Sequence, residues 1–336
     1  MTTPRTDWLS LTTEEAIEPD LPICDPHHHF WDRPDFRYML DELLVDMGGG
    51  HNITETVFVE CSAMYRKDGP ESLSPVGEVE FVNGIAAQSA SGIYGGTNVA
   101  AGIVGYADLS LGAEVQGVLE AQIAAAPERY RGIRNSSCWD ASPEIGGYKS
   151  PPQGLLSDPT FREGFAVLDK LGLTFDAWHY HTQLPELVEL AQAFPNVTII
   201  LDHLGGPIGI GPYVNKHDEM FRDWQNGISA LVYCENVNVK LGGTGMPLGG
   251  YGWHERPTPP TSEDIASVME PYYNHCIEQL GVERCMFESN FPVDNQSMSY
   301  TVLWNAFKRV AKDFTSSEKS SLFQNTARRA YRLPTT

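Results

Sequence analysis

The stretch CDPHHHFWDRP, residues 24–34, sets three imidazoles in a row behind an aspartate and a proline. Side chains two apart on a strand share a face, so His27 and His29 point together while His28 points elsewhere. Imidazoles recur in HYH at 179–181 and in LDH at 201–203, and ETVFVEC at 55–61 carries Glu60 near its end. Imidazole nitrogens and carboxylate oxygens are common donors to divalent first-row metals. His27, His29, Glu60, His179, His181 and His203 are therefore candidate metal ligands, provided that the fold brings the ends of their strands together.

The chain supplies elements of the right kind. Eight short apolar runs stand at 22–24, 55–61, 99–107, 130–137, 173–181, 197–203, 237–243 and 284–289. Between them lie segments with apolar residues at three- and four-residue intervals, among them 114–126, 161–172, 184–194 and 263–281. Strands buried on both faces and separated by helices predict a parallel sheet, and eight of them predict closure into a (β/α)8 barrel over about residues 21–313. A doubly wound open sheet is the alternative. In a barrel the strands' C-terminal ends line one mouth, where active sites form. Residues 315–333 predict a terminal helix with a Ser/Thr cap. The glycine-rich loops at 205–212 and 242–252 fit no dinucleotide motif and are expected to be mobile rims. The segment at 64–72 reads as a solvated loop, and 139–154 as a lid or subunit contact.

Composition narrows the partners. The chain has 336 residues, 41% of them hydrophobic, and its 23 basic against 44 acidic residues give a net charge of −21. A single domain with a large core is expected, and binding to nucleic acid or to an anionic membrane is not. No secretory signal or spanning segment is evident, and six cysteines lie scattered without C-x-x-C spacing. Both features predict a cytoplasmic protein that acts on a small molecule.

Asp25, His27 and His29 in D-x-H-x-H, the histidines of HYH, the phrase TIILDHLGGP and the phrase FESNFPVD together resemble the amidohydrolase superfamily. The likeness is strongest to the amidohydrolase-related branch, which includes pyrone-dicarboxylate and sugar lactonases, and it runs from about residue 21 to 333. It implies the same barrel. It also implies histidine ligands on strands one, five and six, and an aspartate after strand eight that serves as ligand and general base.

Two departures set this chain apart from those hydrolases. Asn290 stands where the hydrolases usually carry the aspartate, and an amide takes no proton at neutral pH. Asp294 is the nearest replacement. Strand four offers no lysine for a carbamylated bridge between two metals, which leaves Glu60 as the bridging carboxylate. These features, with HHH, VFVECSAMYRKDGPE and ESNFPVD, resemble the metal-bearing subunit of a two-component 2-aminoisobutyrate hydroxylase. That resemblance implies a dinuclear iron and manganese monooxygenase acting on a small amino acid. Its partners would be a paralogous subunit, in an oligomer, and a ferredoxin/reductase electron donor. The alternative is a zinc-dependent lactonase or amidase. In either reading His27, His29, His179 and His203 hold metal and His181 holds metal or orients a ligand. Arg134 grips a substrate carboxylate, and Asn290 and Asp294 stand beside the reacting groups.

Overall fold

In V-N-V-K-L at 237–241, Val237, Val239 and Leu241 alternate with Asn238 and Lys240, so one face of the strand is apolar and the other carries the polar groups. The outward set packs under helices, and Lys240 faces the inside. The computed structural model describes residues 5–146, 149 and 151–334. It contains eight parallel strands: β1 (Pro22–His28), β2 (Asn52–Val59), β3 (Asn98–Gly105), β4 (Tyr130–Arg134), β5 (Thr174–Ala177), β6 (Ile199–Leu201), β7 (Val237–Leu241) and β8 (Cys285–Phe287).

Each strand pairs with the next in chain order. Beyond the last strand the ring is drawn together by two backbone bonds, from His29 N to the Phe291 carbonyl at 2.8 Å and from Asn290 N to the His27 carbonyl at 2.9 Å. A helix follows every strand: α1 (Leu40–Met47), α2 (Val76–Ala90), α3 (Val115–Ala125), α4 (Pro159–Leu171), α5 (Leu184–Ala193), α6 (His217–Ala230), α7 (Ser262–Leu280) and α8 (Tyr300–Val310). Strict alternation with sequential pairing makes this the predicted (β/α)8 barrel and not an open sheet.

Two apolar layers result. Phe58, Ile103, Phe175, Ile199 and Leu241 face the helices, while Cys24, Val57, Ala101, Ile200 and Met286 form a separate cluster inside the barrel. Ala327, Ala330, Tyr331 and Leu333 complete the inner cluster. Arg332 reaches the Arg131 carbonyl near the start of β4, which puts this plug at the N-terminal ends of the strands, opposite the mouth. The terminal segment is helical as expected and opens on a Thr315 cap: Ser316–Ser320 and Thr326–Ala330 are α-helical and are joined without a break in helical dihedrals by a π-helical turn over Ser321–Asn325. Among the described residues, no helix is long and apolar enough to cross a membrane.

Candidate metal centre

His27 and His29 do share a face, their ring centroids 5.0 Å apart, and His27 lies 4.5 Å from the ring of His203 at the end of β6. His28 points into the outer core between Phe30 and Phe58 and bonds Thr56 Oγ1 at 2.8 Å. All four histidines are buried.

The hydrogen bonds of these rings decide which can hold a metal. A backbone carbonyl only accepts, so a ring nitrogen facing one must carry the proton, and its other nitrogen keeps a lone pair. His29 Nδ1 faces the Val59 carbonyl at 2.7 Å, and His179 Nδ1 faces the Tyr180 carbonyl at 2.9 Å. Both therefore present Nε2 as a donor atom, and His179 Nε2 is buried without any hydrogen-bond partner. His181 is the opposite case. The Ile208 N–H donates to its Nδ1 at 3.4 Å, which leaves the proton on Nε2, the wrong tautomer for a ligand. His181 also lines a different cleft, with Trp139, Asp140 and Tyr213. The alternation that paired it with His179 does not hold because β5 ends at Ala177 and His181 opens a 3-10 turn.

Glu288, one residue past β8, was not singled out from the sequence, yet it lies at the centre. Its Oε1 is 2.7 Å from His203 Nδ1 and its Oε2 is 2.8 Å from His27 Nδ1. Burial opposes its charge, but His203 and His27 outweigh burial and hold the carboxyl well below its ordinary range. His27, His203 and Glu288 form the one group of ligand-type side chains among the described residues whose donor atoms all lie within 4.8 Å. The carboxylate on His203 Nδ1 fixes that ring's tautomer and orientation, the usual arrangement behind a metal-bound histidine. Burial lowers the pKa of His27, His29 and His179, the last to about 4, so these rings are neutral at pH 7. Neutral rings are what a metal requires.

Beneath the imidazoles lies a cage of charge, also missed. Lys240 Nζ contacts Asp176 Oδ2 at 2.7 Å, Asp202 Oδ1 at 2.9 Å and His27 Nδ1 at 3.1 Å, all fully buried. Burial works against the ammonium, but Asp176 and Asp202 outweigh it and raise its pKa. Two carboxylates compete for this one cation. Asp202 is held ionised, while burial pushes Asp176 up to about 6, with Tyr331 OH donating to it at 2.5 Å. The Lys240 ammonium lies beside His27 Nδ1 and the Arg134 guanidinium beside its Nε2 at 3.3 Å, so cations flank both nitrogens of this ring.

Three further expectations meet a different geometry. Glu60 does not face the imidazoles as a bridge. Arg134 Nε holds its Oε1 at 3.0 Å and Lys149 Nζ its Oε2 at 2.8 Å, so both oxygens are engaged by cations. Arg134 lines the central cavity, but its guanidinium also reaches the Glu60 carbonyl at 2.6 Å, His27 Nε2 at 3.3 Å and Asp202 at 3.5 Å, which commits it to the protein. Asp294 is fully buried, takes Gly245 N–H and Asn290 Nδ2 each at 2.8 Å, and is pushed by burial up to about 7. Asn290 stands between it and the cavity.

Gly242 and Gly243, the first glycines after β7, are packing devices. A Cβ on Gly242 would lie 2.3 Å from Glu288 Cγ, and one on Gly243, at φ +69°, would lie 2.7 Å from the His203 ring. Only glycine lets this loop close on the two residues. His203 and Asn290 themselves hold left-handed φ of 53° and 55°. Such strain, about 1–3 kcal/mol per residue, collects at functional sites.

A parallel barrel with lone-pair imidazoles at its C-terminal mouth, braced from behind by a buried carboxylate, has the architecture of a metal-dependent enzyme. The sequence matches the amidohydrolase family over residues 24–333, and the chain belongs to that family. It is 33% identical over 328 residues to the uncharacterised protein y4mH of Sinorhizobium fredii, across 94% of this chain and 99% of that one. It is 25% identical to an L-fucono-1,5-lactonase of Burkholderia ambifaria, across 80% of each. Among solved structures, a zinc-bound amidohydrolase of Burkholderia multivorans superposes with a TM-score of 0.71 at 22% identity, covering 93% of this chain and 99% of that one.

Proposed function

We propose that the chain is a metal-dependent hydrolase of a cyclic or carboxylic ester. The observation that carries this reading is the set of buried imidazoles whose Nδ1 atoms are tied to protein acceptors, with His179 Nε2 left unpartnered. His29 and His179, which keep a lone pair on Nε2, would hold the ion together with the clustered His27 and His203, and Glu288 would orient His203 through its Nδ1. A divalent ion there supplies a Lewis acid for the acyl oxygen and makes a water acidic enough to attack. The lactonase name of the Burkholderia ambifaria relative and the zinc of the Burkholderia multivorans structure support hydrolysis and make zinc the first metal to try. Arg134, fixed by Glu60, keeps positive charge at the floor of the cavity, where an acyl oxygen gains negative charge on attack.

A second reading is favoured by Asn290, an amide where related hydrolases usually carry the proton-accepting acid. It is oxygen-dependent hydroxylation at a dinuclear centre, with a paralogous subunit and an electron donor. One assay separates the two. Acid release from a panel of lactones and esters, followed by pH-stat, is expected to vanish on chelation, return with zinc and proceed equally without dioxygen. Turnover that needs iron or manganese, dioxygen and reductant would replace hydrolysis with the second reading.

A further inference from the structure

Asn290 lines the central cavity, of about 210 Å3, beside His29 and His203. Its backbone is tied on both sides: its N–H donates to the His27 carbonyl at 2.9 Å, and its carbonyl accepts from Asp294 N–H at 3.2 Å. Its side chain is an amide, whose oxygen only accepts and whose nitrogen only donates. Which of the two faces the cavity decides what the amide can do there.

Asp294 makes that choice. An ionised carboxylate only accepts, so Asn290 must turn Nδ2 towards it, as it does at 2.8 Å from Oδ1 of Asp294. The Asn290 Oδ1 is thereby turned away, and it accepts no hydrogen bond from any described residue. Asp294 in turn is clamped. Its Oδ2 takes the Gly245 N–H at 2.8 Å, and the Gly245 carbonyl takes Ser297 Oγ–H at 2.6 Å. A Cβ on Gly245 would lie 2.8 Å from Cα, Cβ and Cγ of Asp294, so only glycine brings this N–H to the carboxylate.

We propose that Asp294 is a positioning residue that fixes the Asn290 amide with Oδ1 towards the cavity, where it accepts a hydrogen bond from the attacking water. The amide takes no proton. It aims the water, whose oxygen bonds to the acyl carbon as the bond from that carbon to the leaving oxygen breaks, and one proton of the water reaches the leaving oxygen by way of solvent. An amide then serves at a position where an acid is usual, because orientation and not proton transfer is asked of it. The role in attack rests on the hydrolase reading, whereas the direction of the amide does not.

Asparagine-selective 15N labelling of the full chain reads that direction without turnover. At pH 8.5, above the value of about 7 to which burial pushes Asp294, the Asn290 side-chain amide is expected to exchange slowly with solvent, its resonance assigned by its loss in Asn290→Ser. In Asp294→Asn the introduced oxygen takes the Gly245 N–H and the introduced nitrogen faces Asn290, whose own NH2 then turns to the cavity. Its exchange should quicken by roughly 10-fold or more, the worth of a hydrogen bond to a charged group. Ester hydrolysis by the zinc-supplemented variant should lose roughly 10- to 100-fold in kcat with KM changed by less than about twofold. The double variant Asn290→Asp with Asp294→Asn reverses the pair and again leaves an acceptor oxygen towards the cavity, so it should recover the loss. A carboxylate that merely braced the β7 loop is missing from both variants and would give no recovery. Equal exchange of the amide in wild type and Asp294→Asn, or a fall in kcat that the double variant does not recover, overturns the proposal. Amide protection that depends on Asp294, without turnover of any ester, would sink the hydrolase reading and leave the direction of the amide standing. Ester turnover indifferent to Asp294→Asn would do the reverse.

Discussion

Glu288→Gln is expected to weaken divalent-metal binding by roughly 10- to 100-fold, the usual penalty for losing the carboxylate behind a metal-bound histidine. One oxygen of the carboxylate now accepts from His203 Nδ1, and the other lies 2.8 Å from His27 Nδ1. Glutamine keeps the shape but offers one acceptor oxygen, and its amide nitrogen would meet the other Nδ1 with a proton of its own. One ring must then turn or change tautomer and withdraw its Nε2 lone pair. Competition against a chromophoric zinc chelator measures the affinity, and catalysis at limiting zinc should fall in parallel. Unchanged zinc affinity would show that Glu288 braces the barrel and not the metal centre.

Lys240→Met is expected to lower stability by roughly 3–5 kcal/mol, the range for breaking a buried ion pair by removing one partner. Asp176 and Asp202 would then be buried together without the ammonium that now contacts both, at 2.7 and 2.9 Å. Arg134, at 3.5 Å from Asp202, compensates only in part. The melting temperature should fall by roughly 10 °C, given about 2–4 °C per kcal/mol for a large domain. Adding Asp176→Asn should recover part of the loss, because one uncompensated charge is removed. Thermal and urea unfolding of the single and double variants check this. A loss below about 1 kcal/mol, the worth of an exposed pair, would mean that the cage contributes no more than a surface salt bridge.

The barrel was legible because alternation of branched apolar runs with helical periodicity leaves few other topologies. His27, His29 and His203 were legible for the same reason, since strand parity and strand ends position them. Parity also carried a signal for the missed residues. Lys240 alternates with Val239 and Leu241, and Glu288 stands two residues after the inward-facing Met286. Both are ionisable groups at inward positions, and such groups need buried partners. His181 and Glu60 were misplaced because parity fails beyond a strand's end. There the Ile208 N–H selects the His181 tautomer, and Arg134 with Lys149 occupies Glu60. These are long-range contacts that no local pattern encodes. Gly242 and Gly243 of the β7 loop carry a further long-range requirement, since the packing of Glu288 and His203 against them needs the absence of a side chain.

The most direct measurement is the metal content of the purified protein, by mass spectrometry, in wild type, His179→Asn and His181→Asn. Tightly bound divalent metal in wild type and His181→Asn, with loss in His179→Asn, is the predicted result. Wild-type protein free of metal after chelator-free preparation and zinc dialysis, or equal loss in both variants, would contradict it.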